Sequence, residues 1–100
     1  MIYHIILRSY KAGTTAEEIE ESQERTRRFT SIDGVESVVT GPNLGLAPFD
    51  DGLTHATILA IRDADAVKAF IKDSFHQESA AASRAISARS IIVDIEAPDD

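Results

Sequence analysis

Apolar residues come in short dense runs separated by polar stretches with helical spacing, and the alternation between the two predicts the elements of one small domain. Ile2 to Leu7 is rich in β-branched and aromatic side chains and is closed by Lys11-Ala12-Gly13, which predicts a first strand with both faces buried. Thr14 and Thr15 each precede a glutamate by three positions, Glu17 and Glu18, the spacing of a capping box that starts a helix. Acidic residues come first in this helix and Arg25, Arg27 and Arg28 last, in keeping with the helix dipole. Glu21 with Arg25 and Glu24 with Arg28 are expected to pair across one turn. Its inner face is thin: Ala16, Ile19, Thr26, Phe29 and Ile32.

Asp33-Gly34 stops that helix, Val35 to Thr40 reads as a second strand, and Gly41 to Gly52 is the only long loop. Leu53 to Ile61 reads as a third strand. Asp63 caps a second helix with Ala66, Val67, Phe70 and Ile71 on one face, ended by Asp73-Ser74. Ser74 and Gln77 have the spacing to cap a third helix from about Phe75 to Ala88, and Ser90 to Ile95 completes a fourth strand. The expected organisation is one domain over residues 1–97 with an acidic tail at 98–100 that is expected to fray.

The order β-α-β-β-α-β, with an extra short helix before the last strand, is the ferredoxin-like arrangement: an α+β fold with a four-stranded antiparallel sheet. Helices cover one face of such a sheet. Strands 1, 3 and 4 nevertheless carry apolar residues on both parities, Tyr3, Ile5 and Leu7 against Ile2 and Ile6, and Ile92 against Ile91 and Val93. The uncovered face calls for a partner, and a second copy packing sheet against sheet is the economical one.

Composition narrows the function classes. An apolar fraction of 43% with 27% charged residues is that of a folded domain, and a net charge of −7 argues against nucleic acid as a partner. The absence of cysteine rules out disulfides, thiolate metal sites and a cysteine nucleophile. The opening apolar run is too short to cross a bilayer and has no basic region before it, so a cytoplasmic protein without a membrane partner is expected. No phosphate-binding glycine motif is present.

The chain has three histidines, His4, His55 and His76. Even positions of strand 1 and odd positions of strand 3 are expected to face the helices, which would set His4 and His55 in one layer with His76 closing over them. Burial would keep such imidazoles neutral and proton-accepting, suited to proton abstraction beside a carbonyl. These three are the candidate catalytic residues, and Ile6, Leu59 and Phe70 the candidate ligand-binding ones. The plainer reading is three structural histidines and a core phenylalanine. No cofactor and no metal site is expected: the histidines lack a compact ligand pair such as HxxxH, and the adjacent Asp50 and Asp51 read as solvated turn residues rather than a cation site.

His4 in the first strand, Asp33-Gly34-Val35-Glu36-Ser37 followed by Gly41-Pro42-Asn43, Gly52-Leu53-Thr54-His55, and Phe70 to His76 together resemble the stress-responsive α/β-barrel (Dabb) domain. The likeness spans nearly the whole chain. It implies a homodimer whose two sheets form a barrel with helices outside. Some plant members are stress-associated proteins, and others are polyketide cyclases in which a tyrosine on helix 2 works with the histidine matching His76. Phe70 stands at the tyrosine's position, so the donor hydroxyl of the cyclases is missing here. The expectation is a small apolar carbonyl ligand with histidine-based proton transfer; the alternative is a non-catalytic stress-associated or assembly protein.

Overall fold

In a computed structural model, which describes residues 1–98, the chain runs β1 (Ile2–Tyr10), α1 (Ala16–Arg27) continued by a 3-10 turn (Arg28–Ser31), β2 (Val35–Pro42), β3 (His55–Ile61), α2 (Ala64–Lys72), α3 (Ser74–Ile86) and β4 (Ser87–Glu96). Asp99 and Asp100, the last residues of the expected tail, lie outside the described residues. The four strands form one sheet in the order β2-β3-β1-β4, and every neighbouring pair is antiparallel. This is the ferredoxin-like order expected from the sequence, with α3 running directly into β4.

Several boundaries differ from those expected, and each difference has a local cause. β1 continues to Tyr10 because β4, beginning at Ser87, is long enough to pair with it through a register shift at Ser9/Tyr10. β3 starts at His55, as Leu53 and Thr54 belong to the loop: Leu53 N–H donates to the Asp50 carbonyl (3.0 Å). Only the second of the two candidate capping boxes of α1 forms. Thr15 Oγ1 accepts from Glu18 N–H (3.1 Å) and Glu18 Oε1 from Thr15 N–H (3.1 Å), while the Thr14 hydroxyl donates to the Lys11 carbonyl (2.7 Å). Asp73 caps α3 in place of Ser74, accepting from His76 N–H (3.0 Å), since a carboxylate one residue earlier reaches the free amides. The expected Glu21–Arg25 and Glu24–Arg28 pairs give way to Arg27 bridging Glu20 (2.8 Å) and Glu24 (3.3 Å), with Arg28 lying over the Phe75 ring (5.9 Å).

All three helices cover the sheet face that carries His4, Thr57 and Leu59, where Phe29, Ile32, Val35, Leu59, Ile61, Ala66 and Phe70 form the core. The thin apolar face of α1 is explained by what replaces it. Ser22 and Gln23 are its buried residues: Ser22 bonds Ser83 of α3 (2.7 Å), and Gln23 accepts from Thr40 (2.8 Å) and donates to Tyr10 (3.3 Å). Buried polar groups satisfied in this way hold the helix in one register where Leu or Ile would permit several. Ala16, expected on the inner face, is exposed at the helix start.

Gly34 makes the turn into β2 with φ +90°, and a Cβ there would lie 2.7 Å from the Ala66 Cβ of α2. Gly34→Ala therefore combines left-handed strain of about 1–3 kcal/mol with an overlap of similar cost. The urea midpoint is expected to drop by an amount equivalent to at least about 2 kcal/mol, with the slope unchanged; a midpoint within error of the native chain would refute the close packing of α2 on this turn.

Candidate functional site

The strand periodicity of two places His4, Ile6 and Arg8 of β1 on the helix face, and their neighbours on edge strand β4, Asp94, Ile92 and Ser90, face the same way. The helices do not fill the space above β4. What remains is a cleft of about 350 Å3 walled by those six residues below and by Ile71, His76, Ala80 and Arg84 above. Residues 76, 80 and 84 are spaced four apart, so α3 presents them as one stripe. The cleft is of a size to hold a small organic molecule.

His4 is 5% exposed and donates its Nδ1–H to Asp94 Oδ1 at 2.5 Å, a contact that fixes the ring and leaves Nε2 with no hydrogen bond to a described residue. His76 stands in the first turn of α3, its ring packed 4.0 Å from Phe70 and edge-on to Phe29 (5.5 Å). Its Nδ1 is buried without a hydrogen-bond partner among the described residues. Burial holds the His76 pKa below the ordinary 6.5; the Ile71 carbonyl opposes this, His4 adds to it, Asp73 opposes it and Arg84 adds to it. Burial thus favours the neutral imidazole, and the ring forms part of the cleft wall. Arg8 lies deeper, its guanidinium bonded to the Ser87 hydroxyl (2.7 Å), and its pKa is lowered by burial and by Arg84, against the influence of Tyr10.

His4 and His76 line the same cleft and both pack against Phe70, whose ring lies 5.7 Å from that of His4. His55 does not join them. It has the expected parity but the wrong position along the strand: His4 pairs with Leu59, whereas His55 pairs with Arg8, four residues and about 13 Å further along β3. There its ring stands edge-on to Tyr10 (4.9 Å) and Nδ1 bonds the Thr54 hydroxyl (2.9 Å). Among the expected ligand-binding residues Ile6 lines the cleft, but Leu59 and Phe70 are fully enclosed in the core and offer it no surface. Ile71, expected on the inner face of α2, is half exposed and forms the cleft wall instead. Asp94, Arg8 and Arg84 were not singled out from the sequence. The parity of Arg8 with His4, and the 76, 80, 84 spacing, are the signals that point to the two arginines.

No group of three or more His, Asp and Glu residues among the described ones is placed to hold a metal ion. Asp50 and Asp51 close their own loop: Asp50 accepts from Asn43 (3.0 Å) and Gly52 N–H (3.0 Å), and Asp51 pairs with Arg89 (2.6 Å).

The opposite sheet face carries no helix. Tyr3, Ile5, Leu7, Ile58, Ile91, Val93 and Ile95 lie on it, and Leu44, Leu46 and Phe49 of the 43–54 loop stand exposed. No helix among the described residues is long and apolar enough to cross a membrane.

Comparison with known proteins agrees with this architecture. The model of the stress responsive A/B barrel domain matches residues 2–97. A protein of Arabidopsis thaliana is 21% identical with a TM-score of 0.90, covering 100% of this chain and 98% of its own. The hydroxynitrile lyase of Passiflora edulis is 18% identical, TM-score 0.90, over 99% of this chain and 94% of that one. A dimeric ferredoxin-like protein from Jannaschia sp. CCS1 is 17% identical, TM-score 0.86, over 96% of this chain and 98% of that one. At these identities the likeness speaks to the fold. No curated protein matches the chain in sequence.

Proposed function

The chain belongs to the stress responsive A/B barrel domain family, and from that premise we propose that it works as a homodimer that binds a small, largely apolar carbonyl compound in the cleft between β4 and α3, with His76 as a general base. The observation that carries this reading is the neutral imidazole of His76 set in the wall of a cleft of about 350 Å3, with His4 beside it. A base must be unprotonated near the operating pH and able to reach its substrate's proton; burial supplies the first condition and the cleft the second. His4, held by Asp94, is placed to donate or relay a proton at the same ligand. His55 has no part in this chemistry.

The dimer is supported by the apolar sheet face described above and by the dimeric state of the Jannaschia protein. A sheet with one face on helices and the other in water would expose a contiguous apolar patch, which a twofold copy removes. The alternative, a non-catalytic stress-associated or assembly protein, has no use for an unfilled cleft beside a neutral histidine.

The test is exchange of the protons next to the carbonyl of 2-heptanone with solvent deuterium, followed by NMR. Because the acidic form of His76 is inactive as a base, the rate is expected to be flat at high pH and to fall as pH drops through a midpoint below the 6.5 of an ordinary histidine. No exchange above the buffer rate would overturn the base assignment, and a midpoint above 6.5 would overturn the burial of the imidazole.

A further inference from the structure

Arg8 and Arg84 face the same cleft as His76, and neither has a carboxylate partner among the described residues. The arrangement runs against the charge of the chain, which has 17 acidic residues to 10 basic ones. Three of the other five arginines find acids, Arg27 with Glu20 and Glu24, Arg62 with Asp33 and Asp63, and Arg89 with Asp51, while Arg28 lies over the Phe75 ring. Among the described residues the one carboxylate lining the cleft, Asp94, is committed to His4. Two guanidiniums near enough to disfavour each other's charge are thus gathered where burial already penalises Arg8, with only the Ser87 hydroxyl in return.

A partly buried guanidinium with a second one beside it and no carboxylate in return carries a cost that an anionic ligand would repay. We infer that the cleft takes an organic carboxylate, its anionic head held by Arg84 and Arg8 and its hydrocarbon body lying along Ile6, Ile71, Ala80 and Ile92. A guanidinium fork matches a carboxylate in plane and spacing, which an ammonium would not. Half of the remaining lining, Ile6, Ile71, Ala80 and Ile92, is apolar, and a wholly inorganic anion would leave that half in contact with water. The head would sit towards the Ser87 end of β4 and the body towards His4 and Asp94, because Arg8 pairs with Ser90 and His4 with Asp94. This deepens the reading above and rests on it in that both seat the ligand in the same cleft: the substrate becomes a carbonyl compound that also bears a carboxylate.

The experiment compares hexanoate with hexanamide, equal in size and different in charge, by calorimetry at pH 7.5 and by NMR of the arginine Nε resonances. Hexanoate is expected to bind at least tenfold more tightly and to shift the Nε signals of Arg84 and Arg8. Its advantage is expected to fall below threefold in Arg84→Gln and to be partly kept in Arg84→Lys, which preserves the charge and loses the fork. Arg84 is exposed where it lines the cleft and is no part of the core, so these variants retain the core. Equal affinity for the two ligands, shifts confined to arginines outside the cleft, or an unchanged preference in Arg84→Gln would overturn the inference; the last result is also the one expected if Arg84 is neutralised by a carboxylate of a second copy. Exchange on the uncharged 2-heptanone separates the two proposals. Exchange without a hexanoate preference sinks the carboxylate seat alone, and a hexanoate preference without exchange sinks the base alone.

Discussion

His76→Ala is expected to lower the rate of deuterium exchange into 2-heptanone by about two to four orders of magnitude, the usual contribution of a positioned general base. Neither of the other two histidines occupies the same position in the cleft wall. His4 is turned to Asp94 through Nδ1, and His55 lies about 13 Å away along β3. The substitution also removes a ring packed against Phe70 and Phe29, so loss of stability must be separated from loss of chemistry. Two measurements do so. Urea unfolding establishes the fraction folded under assay conditions, and added imidazole, small enough for the vacated space, is expected to restore part of the rate in His76→Ala while leaving the native rate unchanged. A folded His76→Ala protein with native exchange would show that the histidine is structural.

Val93→Glu is expected to convert a dimer into a folded monomer with the chain mass of 10.9 kDa by light scattering. Val93 lies directly across from Ile5, which in turn faces Ile58, so the three form a row over three strands of the helix-free face. In the single chain Val93 is 47% exposed, and a glutamate there can reach water at little cost to folding. In a sheet-to-sheet dimer the same carboxylate would be buried twice, once from each copy and without a partner. Breaking in an uncompensated charge costs about 3–5 kcal/mol, which is at least a hundredfold in the dissociation constant. A variant that still elutes at twice the chain mass would mean that the copies associate through another surface.

The sequence made the fold legible because its strong signals are local and mutually consistent. Alternation over Ile2 to Leu7, a threonine and glutamate three apart at Thr15 and Glu18, and Asp63 ahead of an apolar stripe each specify an element on their own. The candidate site was legible only in part. Parity assigned His4 and His55 to the correct face, but parity says nothing of position along a strand; that is set by register, which depends on where the 43–54 loop releases the chain into β3. Leu59 and Phe70 were read as ligand-binding because apolar side chains that touch a site and those that support it from behind are alike in sequence. Asp94 and Arg84 escaped notice for a different reason. They come from β4 and α3, and the cleft between these elements exists because the helices leave the edge strand uncovered, a property of packing rather than of any segment.

The two faces of β1 mean that one stretch of nine residues carries two messages in alternating letters. Tyr3, Ile5 and Leu7 lie on the helix-free face proposed to meet a second copy, while His4, Ile6 and Arg8 line the cleft proposed to take a ligand. A point substitution can therefore alter either message and leave the other intact, so association and recognition are free to drift separately during evolution. An insertion or deletion of one residue within the strand has no such freedom. It would turn His4 and Arg8 outward and bring the aliphatic set inward in a single event, erasing both messages together. Length in β1 is thus under tighter constraint than identity at any one of its positions, and variation among descendants of this chain is expected as substitutions within the strand and as length changes only in the 43–54 loop.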